Sequence, residues 1–224
     1  MILTQDKSSP YVKMTKFVFY SKSADKKPGK GTGEELSPGA NFSRLAKIPH
    51  WRKQLSNMSV SPFELGGKRY LSVENFFHAA KFLKDHPDFA ATFASDGGVE
   101  WSRDPFVSKQ AGKAGRVNAR GERYKNKRLS RLSDFPDATM RSDFYTGIDR
   151  KAMTLALYSK FSQNVSDARI LLLTGDAQLY HLITVRGQKS VYERWEHLER
   201  VRDCIRLYPP VVFDKAVVDK VLGI

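Results

Sequence analysis

The sequence is poor in cysteine, in acidic side chains and in long apolar runs. Its single cysteine, Cys204, excludes an intrachain disulfide and a zinc site built from several thiolates. Cys204 lies in a helical pattern between Val201 and Ile205, the setting of a packed thiol rather than a nucleophile. No apolar run reaches the roughly 18 residues that a membrane-crossing helix needs. Residues 1–14 also lack the apolar core of a signal peptide. A cytoplasmic protein without a membrane partner is expected, and no lipidation signal or required protein partner is evident. Recognisable metal and nucleophile motifs are missing too. There is no His-Glu-x-x-His, no Gly-x-Ser-x-Gly and no cluster of His, Cys and Asp at ligand spacing. Two readings remain: a reaction that needs neither metal nor cofactor, or no reaction.

What the chain has in excess is positive charge. Against 24 Asp and Glu stand 38 Lys and Arg, giving +14 and a pI near 9.8. Such a balance points to a polyanionic partner, with nucleic acid first. The charge is concentrated. Residues 103–131 carry ten basic side chains, Lys109, Lys113 and Arg116 among them, against Asp104 and Glu122 alone. That block is either a solvated surface or a contact for phosphate backbone.

With 224 residues the chain has the length of one domain with a sizeable core. After a polar lead-in, residues 1–15, the segment 16–21 reads as a short strand. The following stretch, 22–34, is dense in lysine and glycine and is either a plain loop or a backbone cradle for phosphate. Residues 62–70 read as a hairpin about Gly66-Gly67. Helical periodicity returns from Asp149, then from a cap at Ser166 to a stop at Gly175, and again over 192–208. Pro209-Pro210 separates a C-terminal helical extension, residues 209–224. The expected class is mainly α: a single multihelical domain with a few short strands.

The most informative segment is 72–84. Val73, Phe76, Phe77, Ala80 and Leu83 recur at helical spacing, with Ser72 placed as N-cap. Glu74, His78 and Lys81 fall in a second stripe on the shoulder of the first. Such a stripe is also what an ordinary surface helix carries. Glu74 and Lys81 are about 10 Å apart along the axis, roughly the span of a nucleoside.

Taken in order, these segments resemble the NADAR family of YbiA-like N-glycosidases. The resemblance rests on Phe19-Tyr20-Ser21, Ser56-Asn57-Met58, and Ser72-Val73-Glu74-Asn75 through Ala80-Lys81-Phe82. It continues in Lys160-Phe161 and in Leu171-Leu172-Leu173-Thr174-Gly175-Asp176 with His181, spanning roughly 17–203 within a domain of residues 16–208. The chain departs from the family at Asn75, where histidine is frequent, and at Met58, where phenylalanine is usual.

What the resemblance implies is a hydrolase that cleaves a ribose–nitrogen bond without a metal. The implied substrate is ADP-ribose on the amino group of guanine in DNA, so that the enzyme reverses ADP-ribosylation as an antitoxin does. The alternatives are a ribosylamino intermediate of riboflavin synthesis, or a non-catalytic module that binds nucleic acid or ADP-ribose. The resemblance makes Glu74 and Lys81 the catalytic candidates, with Lys81 as a Schiff-base amine of depressed pKa. Tyr20, Lys22, Asn57, His78, Asp176, His181 and Arg186 become the substrate-binding candidates, with Lys22, Arg186 and the glycine loop on the diphosphate.

Overall fold

A computed structural model describes residues 14–117, 120–183 and 190–224. Among them are five strands and eight helices. The first strand, β1 (Lys16–Phe19), consists of the β-formers seen in the sequence, and Phe17 and Phe19 are fully buried. Phe17 meets Phe42 and Trp51 edge-to-face, at 4.9 and 5.1 Å between ring centroids. Trp51 opens the short helix α1 (Trp51–Gln54).

The loop between them folds around a buried ion pair. Glu34 accepts from Arg52 at 2.7 and 2.6 Å, from the Gly29 and Gly31 amides at 3.0 Å each, and from the Val18 amide at 3.2 Å. Arg52 also donates to the carbonyls of Lys26 and Lys27. The expectation of a phosphate cradle therefore fails at these two glycines. Their amides are spent on a carboxylate of the chain itself.

The hairpin is as expected: β2 (Phe63–Leu65) and β3 (Lys68–Tyr70) pair antiparallel, with Gly66 and Gly67 both at positive φ in the turn. It leads into α2 (Val73–Ala80), whose N-cap Ser72 accepts from the Asn75 amide. Asn75 is itself internal. Its Oδ1 takes the Ser72 hydroxyl at 2.6 Å, and its Nδ2 donates to the Trp101 carbonyl at 2.8 Å. Helix α2 ends at Ala80, earlier than the apolar spacing suggested. Phe82 turns off into a cluster with Phe89 and Phe93, 4.7 and 6.0 Å away.

Two short helices follow, α3 (Pro87–Ala91) and α4 (Pro105–Ala111), each with proline in its first turn. Asp104 caps α4 by accepting from the amides of Phe106 and Val107. The long helix α5 (Asp149–Gln163) and α4 both pack on α2. Helix α6 (Val165–Leu173) starts after Asn164 rather than from a cap at Ser166.

The C-terminal third departs most from the sequence reading. Residues of the 176–194 region form strands β4 (Gln178–Ile183) and β5 (Val191–Arg194), so the next helix, α7, covers Glu196–Leu207 only. The sheet order is β1-β4-β5, with β1 and β4 parallel and Phe19 opposite His181. The last helix, α8 (Lys215–Leu222), buries Val218 and Leu222, and Arg141 holds the Leu222 carbonyl at 2.7 Å. No helix of the described residues is long and apolar enough to cross a membrane.

Candidate active site

The ends of β1 and β4, the exit of α1 and one face of α2 enclose a cavity of about 670 Å³, within the range of small-molecule sites. Parallel pairing brings Tyr20 and Lys22, just past β1, beside His181 on β4. Asn57 enters after α1, and α2 supplies Glu74, Phe77 and His78, with Lys81 as its C-cap. Seven of the nine site residues expected from the sequence thus share one cavity. Arg186 lies outside the described residues. Asp176 is elsewhere: it is exposed and pairs with Arg206 at 2.9 Å. The reason is strand geometry. Asp176 lies in the turn before β4 and His181 is the fourth residue of that strand, so three extended steps, about 10 Å, carry His181 away from the turn.

The polar stripe of α2 is buried rather than solvated, with Glu74, His78 and Lys81 at 4%, 5% and 2% exposure. Glu74 is held at both oxygens. Asn57 Nδ2 donates to Oε2, and His78 Nε2 lies 3.0 Å from Oε1. Its own amide donates to the Asn57 carbonyl at 3.1 Å, so backbone and side chain fix the same pair. Burial raises the Glu74 pKa, but the His78 hydrogen bond and charge, with the cations Lys109 and Lys81, outweigh it and leave the carboxyl below its ordinary value. Burial and the nearby lysines outweigh Glu74 at His78 and push it down to about 4. At neutral pH the imidazole is uncharged and Nε2 donates to the carboxylate. Nδ1 is then a buried atom without a hydrogen-bond partner.

Lys81 follows the last residue of α2. Its Nζ sits 5.3 Å from the Phe77 ring, 5.8 Å from Phe144 and 5.9 Å from Tyr145, and 3.5 Å from the Gly112 carbonyl. Aromatic faces return part of the lost hydration of a cation. They do not return all of it. Burial first, then the charges of Arg116, Lys109 and Lys113, bring the amine down to about 7 against the pull of Glu74. His181, stacked on Trp195 at 4.7 Å, is likewise pushed by burial to about 4.

The site residues that motif reading did not single out are Lys109, Lys113, Arg116 and Tyr145. The three cations belong to the basic stretch and project from and beyond α4. Arg116 also donates to the Tyr145 hydroxyl at 3.2 Å. With Lys22 they make a strongly positive wall, and the only carboxylate among the described lining residues is Glu74. The charge block was the signal for them, but only the packing of α4 on α2 gives it a direction. Among the described residues no three His, Cys, Asp or Glu side chains gather closely enough to hold a metal ion.

Chemically the cavity offers an amine that is part free base at neutral pH, a carboxylate held ionised, a neutral imidazole and several cations. No family model matches the chain, and no curated protein matches it. Among solved structures the chain is similar to the NMR structure of the E. coli protein YbiA, at 17% identity over 70% of this chain and 79% of that one, with a TM-score of 0.48.

Proposed function

We propose that this protein is an N-glycosidase that removes ADP-ribose from the exocyclic amine of guanine in nucleic acid. One observation carries the reading: the Lys81 amine, with a pKa of about 7, shares a cation-walled cavity with an ionised Glu74. A neutral amine is a nucleophile, and a buried lysine beside other cations is how one is kept neutral. Lys22, Lys109, Lys113 and Arg116 suit a diphosphate. The rings of Phe77 and Tyr145 suit a flat base or a developing cation.

The steps balance without a metal. A ribosylated exocyclic amine opens to an imine at C1 of the sugar. Lys81 Nζ adds to C1, and its proton passes through Glu74 to the base nitrogen. The C1–base bond breaks as the second Nζ proton passes the same way, and the unmodified base leaves as an amine, with Lys81 bound to C1 as an imine. Water adds at C1, the lysine–carbon bond breaks, and the sugar departs as an aldehyde that recloses. One water is consumed and the amine of Lys81 is restored. Glu74 also stabilises the positive charge carried at C1 on the way.

The deciding experiment is incubation of the protein with a guanine-ADP-ribosylated DNA oligonucleotide, with and without chelator, followed by mass analysis. Release of ADP-ribose and recovery of guanine, with borohydride trapping on the wild type but not on Lys81→Arg, is the expected result. Cleavage of a ribosylaminopyrimidine instead would transfer the reaction to a small-molecule substrate. No cleavage of either would leave a binding module.

A further inference from the structure

A second cavity of about 480 Å³ backs onto the first. The segment 113–116 divides them: Lys113 and Arg116 line the cavity just described, whereas Ala114 and Gly115 line the other. The link is tight. The Tyr124 amide donates to the Arg116 carbonyl at 2.7 Å, and Lys113 Nζ lies 5.6 Å from the Tyr124 ring. Both the Tyr124 hydroxyl and Lys113 Nζ bond Gln110 Oε1, at 3.3 and 2.9 Å.

The lining of this second cavity is divided by chemistry. Its walls are Tyr124, Leu129, Leu132 and Phe135, and its rim carries the exposed cations Arg123, Lys125 and Lys127. The described lining residues include no carboxylate. An apolar slot with an aromatic wall takes a flat ring by stacking, and a purely cationic rim takes the phosphates attached to it. Nucleotides of a single strand present both. In a duplex the bases are paired and stacked and do not reach such a slot.

We propose that this cavity binds an unpaired base of single-stranded nucleic acid next to the nucleotide whose modified base enters the Glu74/Lys81 site. The assignment rests on the reading of that site as acting on nucleic acid. It makes the strand a tighter-bound substrate than a free nucleotide. One strand then runs across the 113–116 wall, its phosphates following the cations from Lys109 to Lys127.

The test measures binding of unmodified single-stranded DNA, so that it does not depend on the protein being a glycosidase. Two variants separate base from charge. Ser133→Trp fills the slot from its exposed rim without changing charge, and Lys125→Ala with Lys127→Ala removes charge without filling it. Ser133→Trp should weaken binding about 10-fold, the order of one lost base stack, with the salt dependence unchanged. The same strand made abasic should bind wild type and Ser133→Trp equally. The lysine pair should lower the salt slope by about 1.4, two single-strand phosphate contacts. Cleavage of an ADP-ribosylated guanine mononucleotide should be the same in all three proteins. Equal binding of normal and abasic strands by the wild type would overturn the proposal. So would equal displacement of the strand by a polyglutamate peptide, which would make the slot a protein-docking surface. Loss of strand binding in Ser133→Trp in a protein that cleaves nothing would keep the subsite and remove the glycosidase.

Discussion

Gly112 leaves no room for a methyl group beside His78: a Cβ on Gly112 would lie 2.0 Å from the imidazole Nδ1. The carbonyl of the same glycine stands 3.5 Å from Lys81 Nζ, so one residue of the chain backs both the orienting imidazole and the candidate nucleophile. Its φ of −63° is open to any residue, so the requirement for glycine is steric. Gly112→Ala should push His78 off Glu74 and cost about 1–3 kcal/mol of stability, a fall in Tm of several degrees. Turnover should fall at least 10-fold. Thermal melting and single-turnover cleavage check both, and unchanged turnover would mean that the His78 hydrogen bond does not orient Glu74.

The pH dependence of turnover should be set by Lys81. Attack needs the free amine, so kcat/KM should rise with pH through about 7 and level off above it. Two variants should move that limb in opposite directions. Arg116 is the largest charge contribution lowering the Lys81 pKa, so Arg116→Gln should shift the limb to higher pH. Glu74 raises the Lys81 pKa, so whatever turnover remains in Glu74→Gln should show its limb at lower pH. A pH–rate series on the three proteins reads both signs. A common shift, or none, would detach the limb from Lys81.

Much of this site was legible before the fold. Helical spacing over 72–84 put Glu74, His78 and Lys81 on one stripe, and Ser72 marked its start. The spacing could not show that the shoulder of α2 would be covered. That depends on α4 and on the turn carrying Phe144 and Tyr145, whose approach is fixed by tertiary packing rather than local pattern. The strands β4 and β5 were missed for a related reason. Residues 178–183 have no clean alternation of polar and apolar side chains, because β4 is the middle strand of the sheet and half-buried along most of its length. Asp176 lies off the site for the same reason: it pairs with Arg206 in the turn before β4, and the strand carries His181 away from it.

Acid should unfold the protein through His78. A histidine held at about 4 in the fold and near 6.5 in the open chain is protonated first in the unfolded state. Stability is therefore lost as pH falls from about 6.5 towards 4, by roughly 3 kcal/mol for a group this buried. Glu74, whose pKa is lowered in the fold, works in the same direction at the acid end. Urea unfolding at pH 7 and at pH 4.5 should show a lower midpoint in acid, and His78→Gln should shrink the difference without abolishing it, because burial also holds His181 and His197 at about 4. A wild-type midpoint that does not move would show that the buried histidines take up protons in the fold as readily as in the open chain.

Lys160 connects the core to the site from behind. It is fully buried, and burial brings its amine down to about 8 despite the charge of Asp167. Its Nζ donates to the carbonyls of Gln54 at 2.6 Å and Ser56 at 3.1 Å, at the exit of α1. Asn57, the donor to Glu74, is the next residue. Replacing Lys160 by methionine keeps the volume and removes the charge, but leaves the Gln54 carbonyl without its donor, at about 1–3 kcal/mol, whereas the Ser56 carbonyl keeps the Ser59 amide at 3.2 Å. The loss of a buried cation offsets part of that. A purely structural lysine would change stability alone. A lysine that sets the register of Asn57 should also move Glu74, because the carboxylate would lose its amide donor and its pKa would rise. Lys160→Met should therefore melt several degrees lower and show the Glu74 carboxyl, followed by carbon-13 NMR, titrating at higher pH than in wild type. A variant that melts lower but keeps the wild-type Glu74 titration would confine Lys160 to the core.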